Sequence, residues 1–552
     1  MKNDELVRSR KVVTPAKAGV HTSLNLPNSG RNDELSRVLT SYEFVQNDPK
    51  LQRAVIKGRC TGWFSYGCVF LFLALIFSGC MMGPDYERPQ VEVPQTWRFE
   101  ASEAADLVNT VWWQQFTDPV LDELITIALQ ENTDVRIATA RIEEYLGRYR
   151  VSRADLFPQV GGEADAGRER ASEADLPRGV SGAFENPDDF LQAFFSASWE
   201  LDLWGRLRRS TEAARAEVLS TAEARRAVIL SLVQAVATAY VNLRDLDKEL
   251  EIAERTTATR KESLDIFQLR FDAGVISELE LRQVESEYQA SLATIPQIEK
   301  AIVFQEDALS ILLGRNPQAI VRGKTLDELV LPQVPAGLPS EVLEQRPDIR
   351  GAEQDLIAAN ARIGVARAAY FPSLILTGAY GSASSDLGDL FSGSAKIWSY
   401  AASLTQPIFT GGRIRGNVQV AEAIQQQLLV RYQQVIQNAF REVDDSLIDQ
   451  AKTREQLAAE AGQVEALRSY ARLARLRYDE GYTSFIEVLD AERSLFNAEL
   501  SYTQTQATLF QSLINLYAAM GGGWVLEAED IAVQPLTADS SPQPDTMPTG
   551  VQ

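Results

Sequence analysis

Very few side chains in this sequence could carry out covalent or acid–base chemistry near neutral pH. The single histidine is His21, and the three cysteines are Cys60, Cys68 and Cys80. All but Cys80 precede Ser78-Gly79, so a chain cut before Cys80 keeps no histidine and, once Cys80 is modified, no free thiol. That removes a histidine base, a histidine metal site, a cysteine nucleophile and any disulfide. Carboxylates and serines are plentiful, but no nucleophile elbow, phosphate loop or zinc-type spacing organises them. The expectation is no enzyme: no catalytic residue, no metal, and no cofactor other than a covalent lipid on Cys80.

That lipid is suggested by what surrounds Cys80. Residues 69–77 (VFLFLALIF) form an unbroken apolar run, with Lys57 and Arg59 before it and Phe77-Ser78-Gly79-Cys80 at its end. A basic flank, a short apolar core and small residues at a cut site make 57–79 a secretory signal. The run is shorter than the roughly 20 residues of a permanent spanning helix. Its ending resembles a bacterial lipobox, with Phe77 where Leu is usual, which makes Cys80 the acylated first residue. Met81 rather than Asp follows, which in such lipoproteins implies sorting to the outer membrane. A buried helix ending in a chance cysteine is the alternative. Residues 1–56 lack sustained periodicity and are read as an overlong reading frame or a disordered leader.

The formal charge is −22, and residues 1–79 carry eleven Lys/Arg against six Asp/Glu, leaving about −27 beyond them. So acidic a surface argues against nucleic acid or anionic lipid as a partner. It suits a periplasmic protein or the wall of a cation-tolerant pore, and plain solubility accounts for it equally.

The elements that would position any functional residue come twice. Asp134-Val135-Arg136 leads to Phe157-Pro158, and Asp348-Ile349-Arg350 leads to Phe371-Pro372, an offset of 214. Arg270-Phe271-Asp272-Ala273-Gly274 is echoed by Arg477-Tyr478-Asp479-Glu480-Gly481 at an offset of 207, as Leu313-Gly314 is by Met520-Gly521. Glu280 and Glu487 fall on equivalent positions. In each copy, helical sequence stops at Phe-Pro, and period-2 alternation follows. Phe195, Ala197, Trp199, Leu201 and Leu203 oppose Ser196, Ser198, Glu200 and Asp202; Trp398, Tyr400, Ala402 and Leu404 oppose Ser399, Ser403 and Thr405. These stretches have the ~10-residue length and two-faced pattern of transmembrane strands. A soluble hairpin on a core is the alternative.

Glycine returns the chain to helix at Gly205 and Gly411-Gly412. Residues 206–271 contain neither proline nor glycine, which predicts a helix of roughly 100 Å at 1.5 Å per residue. Its apolar residues keep a heptad: Ile229, Val236, Leu243 and Leu250 on one seam, Leu232, Ala239, Leu246 and Ala253 on the other. Gly274 and Gly481 turn the two antiparallel helical hairpins. Two strands per copy give four per chain, too few to close a barrel, and an open edge in hydrocarbon leaves backbone groups unsatisfied. Two chains would give eight strands with a filled interior; three give twelve and a lumen.

From Cys80 to about Trp524 the chain resembles the TolC-like outer-membrane factors of the lipoprotein (NodT/OprM-like) branch. The residues that carry the likeness are Gly83-Pro84-Asp85-Tyr86, Trp112-Trp113 with Phe116 and Asp118-Pro119, and Ser198 through Arg206 (SWELDLWGR). In the second copy they are Arg346 through Arg350, Ala358-Ala359-Asn360-Ala361, Phe371-Pro372-Ser373 and Gly411-Gly412-Arg413. The resemblance implies an α+β membrane protein: a homotrimeric 12-stranded β-barrel continuous with a long periplasmic α-helical barrel, built from two internal repeats per chain. It implies an outer-membrane channel, lipid-anchored and reaching into the periplasm, that conducts drugs or other small molecules. A periplasmic adaptor protein and an inner-membrane pump, of the proton-driven drug-exporter class, are the implied partners, alongside outer-membrane lipid and no nucleic acid.

The same resemblance assigns the turns to the periplasmic tip and adaptor docking: Arg270, Phe271, Asp272, Gly274 and Val275, with Arg477, Tyr478, Asp479, Gly481 and Tyr482. It assigns the constriction to Glu280, Glu487 and Asp490. Relatives carry an Arg in the second tip that bridges neighbouring helices, where this chain has Thr483. Ordinary solvated helix carboxylates are the plainer account of the three acids. The organisation expected is 1–56 leader, 57–79 signal, 80–132 lipidated equatorial segment, 133–331 first copy, 332–346 linker, 347–523 second copy and 524–552 equatorial or disordered tail. A trimeric coiled-coil stalk or adhesin also fits the heptads but not the duplication or the strands. A periplasmic enzyme with helical arms lacks the chemistry.

Overall fold

The computed structural model describes residues 81–98, 111–170, 172, 187–332, 339–521 and 523–533. The leader, the signal segment 57–79, Cys80 and residues 534–552 lie outside the described residues. A 3-10 turn (Trp112–Phe116) and α1 (Pro119–Glu131) precede the first copy, which runs α2 (Thr133–Ala154), β1 (Gln159–Glu169), β2 (Asp188–Leu201), α3 (Arg206–Asp272) and α4 (Glu278–Leu312). After a short α5 (Pro339–Gln345), the second copy runs α6 (Pro347–Ala368), β3 (Ser373–Ser384), β4 (Lys396–Thr405), α7 (Arg413–Asp479) and α8 (Phe485–Met520), then α9 (Trp524–Val533).

Both α3 and α7 are 67 residues long, about 100 Å each. Their return helices are about half that, 35 and 36 residues. The rest of each long helix is covered by α2 or α6, set end to end with α4 or α8. Asn132 makes the first of these joins: its side chain accepts from Asp134 N and Val135 N at 2.8 and 3.1 Å and donates to Leu312 O at 2.9 Å. Gly314, at φ +71°, turns away against the Glu131 carbonyl, where a side chain has no room. Arg346 occupies the second join, donating to Ala519 O at 2.8 Å while pairing with Asp348 and Glu442 at 2.7 and 2.8 Å. One orphan carbonyl at each helix end is thereby satisfied.

The four strands form one antiparallel sheet in the order β1-β2-β3-β4. Phe195 lies opposite Gly162 and Tyr380, and Tyr380 opposite Trp398. One face carries Phe195, Ala197, Trp199, Leu376, Tyr380, Trp398, Tyr400 and Leu404; the other carries Glu163, Asp165, Ser196, Ser198, Thr377 and Ser403. The pattern read in the sequence extends two residues too far, because β2 stops at Leu201. Leu203 N turns back to Leu201 O at 2.9 Å. The Asp202 carboxylate instead accepts from Leu207 N and Arg208 N at 3.0 and 2.9 Å, opening α3.

The core between the long helices and the flanking segments is aromatic. Trp112 stacks on Tyr517 at 5.4 Å, and Trp524 meets Trp112 and Trp113 edge-on at 6.0 and 5.6 Å. Buried Asp118 accepts from Tyr240 Oη (2.6 Å), Lys324 N (3.0 Å) and Val120 N (3.0 Å), tying α1, α3 and the segment after α4 together. Burial next to that carboxylate raises the Tyr240 phenol far above its ordinary value.

Candidate functional site at the hairpin turns

Both long helices end in the same way. Arg270 and Arg477 are the cations of the last turn, where the helix dipole favours them. Val275 N bonds Arg270 O at 2.9 Å and Tyr482 N bonds Arg477 O at 2.8 Å. Each link spans a glycine in the left-handed region, Gly274 at φ +71° and Gly481 at φ +77°, as the Schellman ending requires. Val275 and Tyr482 then stand exposed. Asp272 is held by Gln268 at 3.0 Å and Asp479 by Arg475 at 3.8 Å, each within its own helix.

The two turns are locked to each other inside one chain. Phe485 contacts Phe267 at 4.2 Å and Tyr478 at 4.9 Å between ring centroids. Arg270 lies over Phe267 and donates to Tyr478 Oη at 2.7 Å. Leu281, Val284, Val488 and Ala491 are buried beneath, with Phe271 packed at the margin. The structure thus brings Arg270, Phe271 and Tyr478 together and leaves Gly274 and Gly481 with open space around them. Sequence reading missed Phe267 and Phe485. Phe485 directly follows Ser484 at the start of α8, and Phe267 lies one turn before Arg270, but single aromatics in a heptad helix look like ordinary core.

The three acids are engaged locally. Glu280 closes a capping box: Ser277 N donates to its carboxylate at 2.8 Å, while Glu280 N donates to Ser277 Oγ at 3.4 Å. The equivalent Ser484 makes no side-chain cap. Glu487 turns instead to Arg477 at 3.2 Å and to the Thr483 hydroxyl. Asp490 pairs with Arg493 at 2.8 Å. Deeper in the hairpins, Arg260 is 5% exposed, and burial lowers its pKa even with Glu287 at 3.3 Å; burial likewise raises Glu492.

Above the turns, α3 and α8 meet along a polar seam. Arg255 pairs with Glu499 at 2.6 Å, Glu249 accepts from Gln504 at 2.6 Å, and Gln511 donates to Asn242 at 2.5 Å. Asp245 lies on this stretch; burial and the neighbouring Glu249 push its carboxyl up to about 7. No group of three or more His, Cys, Asp or Glu that could hold a metal occurs among the described residues.

Residues 124–315 and 338–522 match the family described as outer membrane efflux protein, one segment per copy. The solvent efflux pump outer membrane protein SrpC of Pseudomonas putida is 37% identical over 464 residues, 82% of this chain and 97% of SrpC. The cation efflux system protein CusC of Escherichia coli O157:H7 is 37% identical over 462 residues, 82% of this chain and 97% of CusC. The open-state MtrE outer membrane channel of Neisseria gonorrhoeae superposes with a TM-score of 0.73 at 36% identity, covering 81% of this chain and 99% of MtrE. The chain belongs to the outer membrane efflux protein family. Its fold class follows: each chain of this efflux protein supplies one third of a homotrimeric 12-stranded barrel continuous with a helical barrel. The sheet lies in the outer membrane and the long helices reach into the periplasm. The protein is an outer-membrane efflux channel, working with an inner-membrane pump and an adaptor.

Proposed function

We propose that this channel is a passive, non-enzymatic conduit for small organic molecules, closed at the hairpin turns and delivered to by a proton-driven pump through an adaptor that docks on those turns. The observation that carries the reading is the continuity of one chain. A two-faced sheet passes through short glycine-containing turns into helices about 100 Å long, whose far ends are locked together by Phe485, Arg270 and Tyr478. The exposed Val275 and Tyr482 beside paired charges suit an adaptor contact. Glu280, Glu487 and Asp490, repeated by threefold symmetry, would ring the narrowest part of the lumen. Carboxylate rings of that kind favour cations.

The Cys80 anchor belongs to the same proposal. Met82 N bonds Trp204 O at 3.0 Å, and Met82 O accepts from Arg209 at 3.3 Å. The chain two residues past Cys80 is therefore fixed where sheet becomes helix, the depth at which an acyl group meets the inner face of the membrane. A lipid there adds affinity to an already spanning barrel. Toluene, solvent and antibiotic export are named for several relatives, which supports organic cargo here, and cation export is named for another.

The test is a deletion strain exposed to toluene and to a panel of antibiotics. The intact chain is expected to restore tolerance, and collapse of the proton gradient to abolish it. A coiled-coil stalk or adhesin would leave sensitivity unchanged by deletion, which would overturn the proposal.

A further inference from the structure

We infer that each chain holds an anionic phospholipid on its outer side, where sheet becomes helix in the second copy. The lipid takes there the place that the chain's own N-terminal segment takes in the first copy. The inference rests on the sheet lying in the outer membrane and on the Cys80 anchor, and adds a lipid site to them. The net charge of −22 argues against acidic lipid for the chain as a whole, but at this level the balance is reversed. Residues 148–158, 198–209, 362–373 and 405–416 flank the helix ends of the four strands and hold ten arginines, no lysine and three acids. A basic belt at the depth of the lipid phosphates attracts acidic headgroups.

The first copy shows which side of the wall faces the membrane. Its N-terminal segment carries the anchor cysteine, so it lies outside the barrel, where an acyl group can reach lipid. Met82 N bonds Trp204 O at 3.0 Å, and a Cβ on Gly205 would lie 2.9 Å from Met81 Cγ. Asp85 pairs with buried Arg209 at 2.7 Å. An acidic side chain close to a lipidated residue therefore covers Trp204, Gly205 and Arg209. In the second copy the corresponding positions, shifted by 207, are Gly411, Gly412 and Gly416. One chain has one N-terminus, so no such segment covers them. A Cβ on any of the three would meet nothing within 4 Å.

The arginines at that open place have lost their carboxylates. Arg206 pairs with Glu200 at 2.7 Å, and Arg208 with Asp202 at 3.2 Å. Their counterparts are Arg413 and Arg415, but Pro407 and Phe409 stand where the two acids would be. Both arginines are exposed, and neither side chain makes a hydrogen bond or ion pair among the described residues. Ile408 and Phe409, each 90% exposed in one chain, offer an acyl chain the apolar contact that free phosphate would leave unused. Arg206 stands one turn before Arg209 on the same helix face, so Arg413 stands beside Gly416 on the outer side. Arg415, two residues on, points to the other side of α7. Arg413 is therefore the headgroup contact, through charge-assisted bonds to phosphate oxygens.

Native mass spectrometry of the purified full-length protein, incubated with phosphatidylglycerol or phosphatidylethanolamine, tests this. The wild-type trimer is expected to retain one phosphatidylglycerol per chain and to keep it against excess phosphatidylethanolamine or inorganic phosphate. Arg413→Gln should weaken retention roughly fivefold, the share of one arginine near a lipid surface, while Arg415→Gln should change it little. Pro407→Glu/Phe409→Asp, which gives the second copy the acids of the first, should also weaken it, and decides the matter if Arg413→Gln fails to assemble. Equal retention of the two lipids, displacement by inorganic phosphate, or a loss in Arg415→Gln with none in Arg413→Gln would overturn the site. A chain mass without acyl groups would overturn the anchor, and a wild type that forms no trimer the channel. Each is a different result from equal retention by an acylated trimer.

Discussion

The two hairpin turns start from the same motif and use it differently. Ser277-x-x-Glu280 and Ser484-x-x-Glu487 are equivalent capping-box sequences. In the first, serine and glutamate satisfy each other and the start of α4 is self-contained. In the second, Glu487 abandons Ser484 for Arg477 on the opposite helix and for Thr483. The first acid holds a helix end; the second holds two helices together. A turn closed by an ion pair between its two helices can be opened by whatever competes for that arginine, whereas a capping box cannot be so opened. If the tip is the gate proposed above, this difference would put its moving part in the second copy.

The largest effect should come from removing what both turns share. Phe485 is 3% exposed and touches Phe267 and Tyr478. Phe485→Ala should cost the tip about 3–5 kcal/mol, as buried Phe truncations do. Faster hydrogen exchange confined to residues 264–285 and 474–491 would show it; unchanged exchange there would mean the cluster does not bind the turns.

The comparison itself is tested by paired substitutions. Glu280→Ala should weaken the start of α4 by about 1 kcal/mol, and Glu280→Gln should be nearly silent, since Gln also closes a capping box. Glu487→Gln should change stability by less than about 1 kcal/mol, an exposed ion pair being worth little, yet raise the fraction of open time. Matching behaviour of the two Gln variants in single-channel records would erase the distinction.

The smallest effect concerns the polar seam between the hairpins. Asp245 has its folded pKa raised to about 7 by burial and Glu249. The protonated form is the one the fold favours, so the seam is firmest below the ordinary Asp value of 3.8 and loosens progressively as pH rises to about 7. Corrected for the intrinsic rise of amide exchange with pH, opening of the α3 and α8 amides near Asp245 should become easier between pH 3.8 and about 7, and Asp245→Asn should flatten that dependence.

Much of this was legible in the sequence because it is periodic. The lengths of α3 and α7, both glycine turns and the strand-bearing stretches follow from repeats, heptads and breakers. Other features were hidden for physical reasons. β1 carries Gly161, Gly162 and Gly167, which have no side chain to mark a face. Asp202 alternates correctly with Leu201 and Leu203, yet its carboxylate is drawn to the free amides of α3. Glu280 and Glu487 looked equivalent, and only their neighbours in space separate them. The arginines beside Glu487 and Asp490 were visible as residues but not as partners.

Single-channel recording of the purified trimer in a planar bilayer tests the channel and its tip most directly. The wild type should conduct, prefer cations and be blocked by a trivalent cation, because carboxylates within a Debye length of about 8 Å reinforce one another. In Glu487→Ala/Asp490→Ala, Arg477 loses its partner and Arg493 keeps only Glu287 at 4.0 Å, so selectivity should shift toward anions and trivalent block should weaken. A conducting double variant with unchanged selectivity and unchanged block would place the constriction elsewhere, and a wild-type trimer that passes no current would contradict the conduit itself.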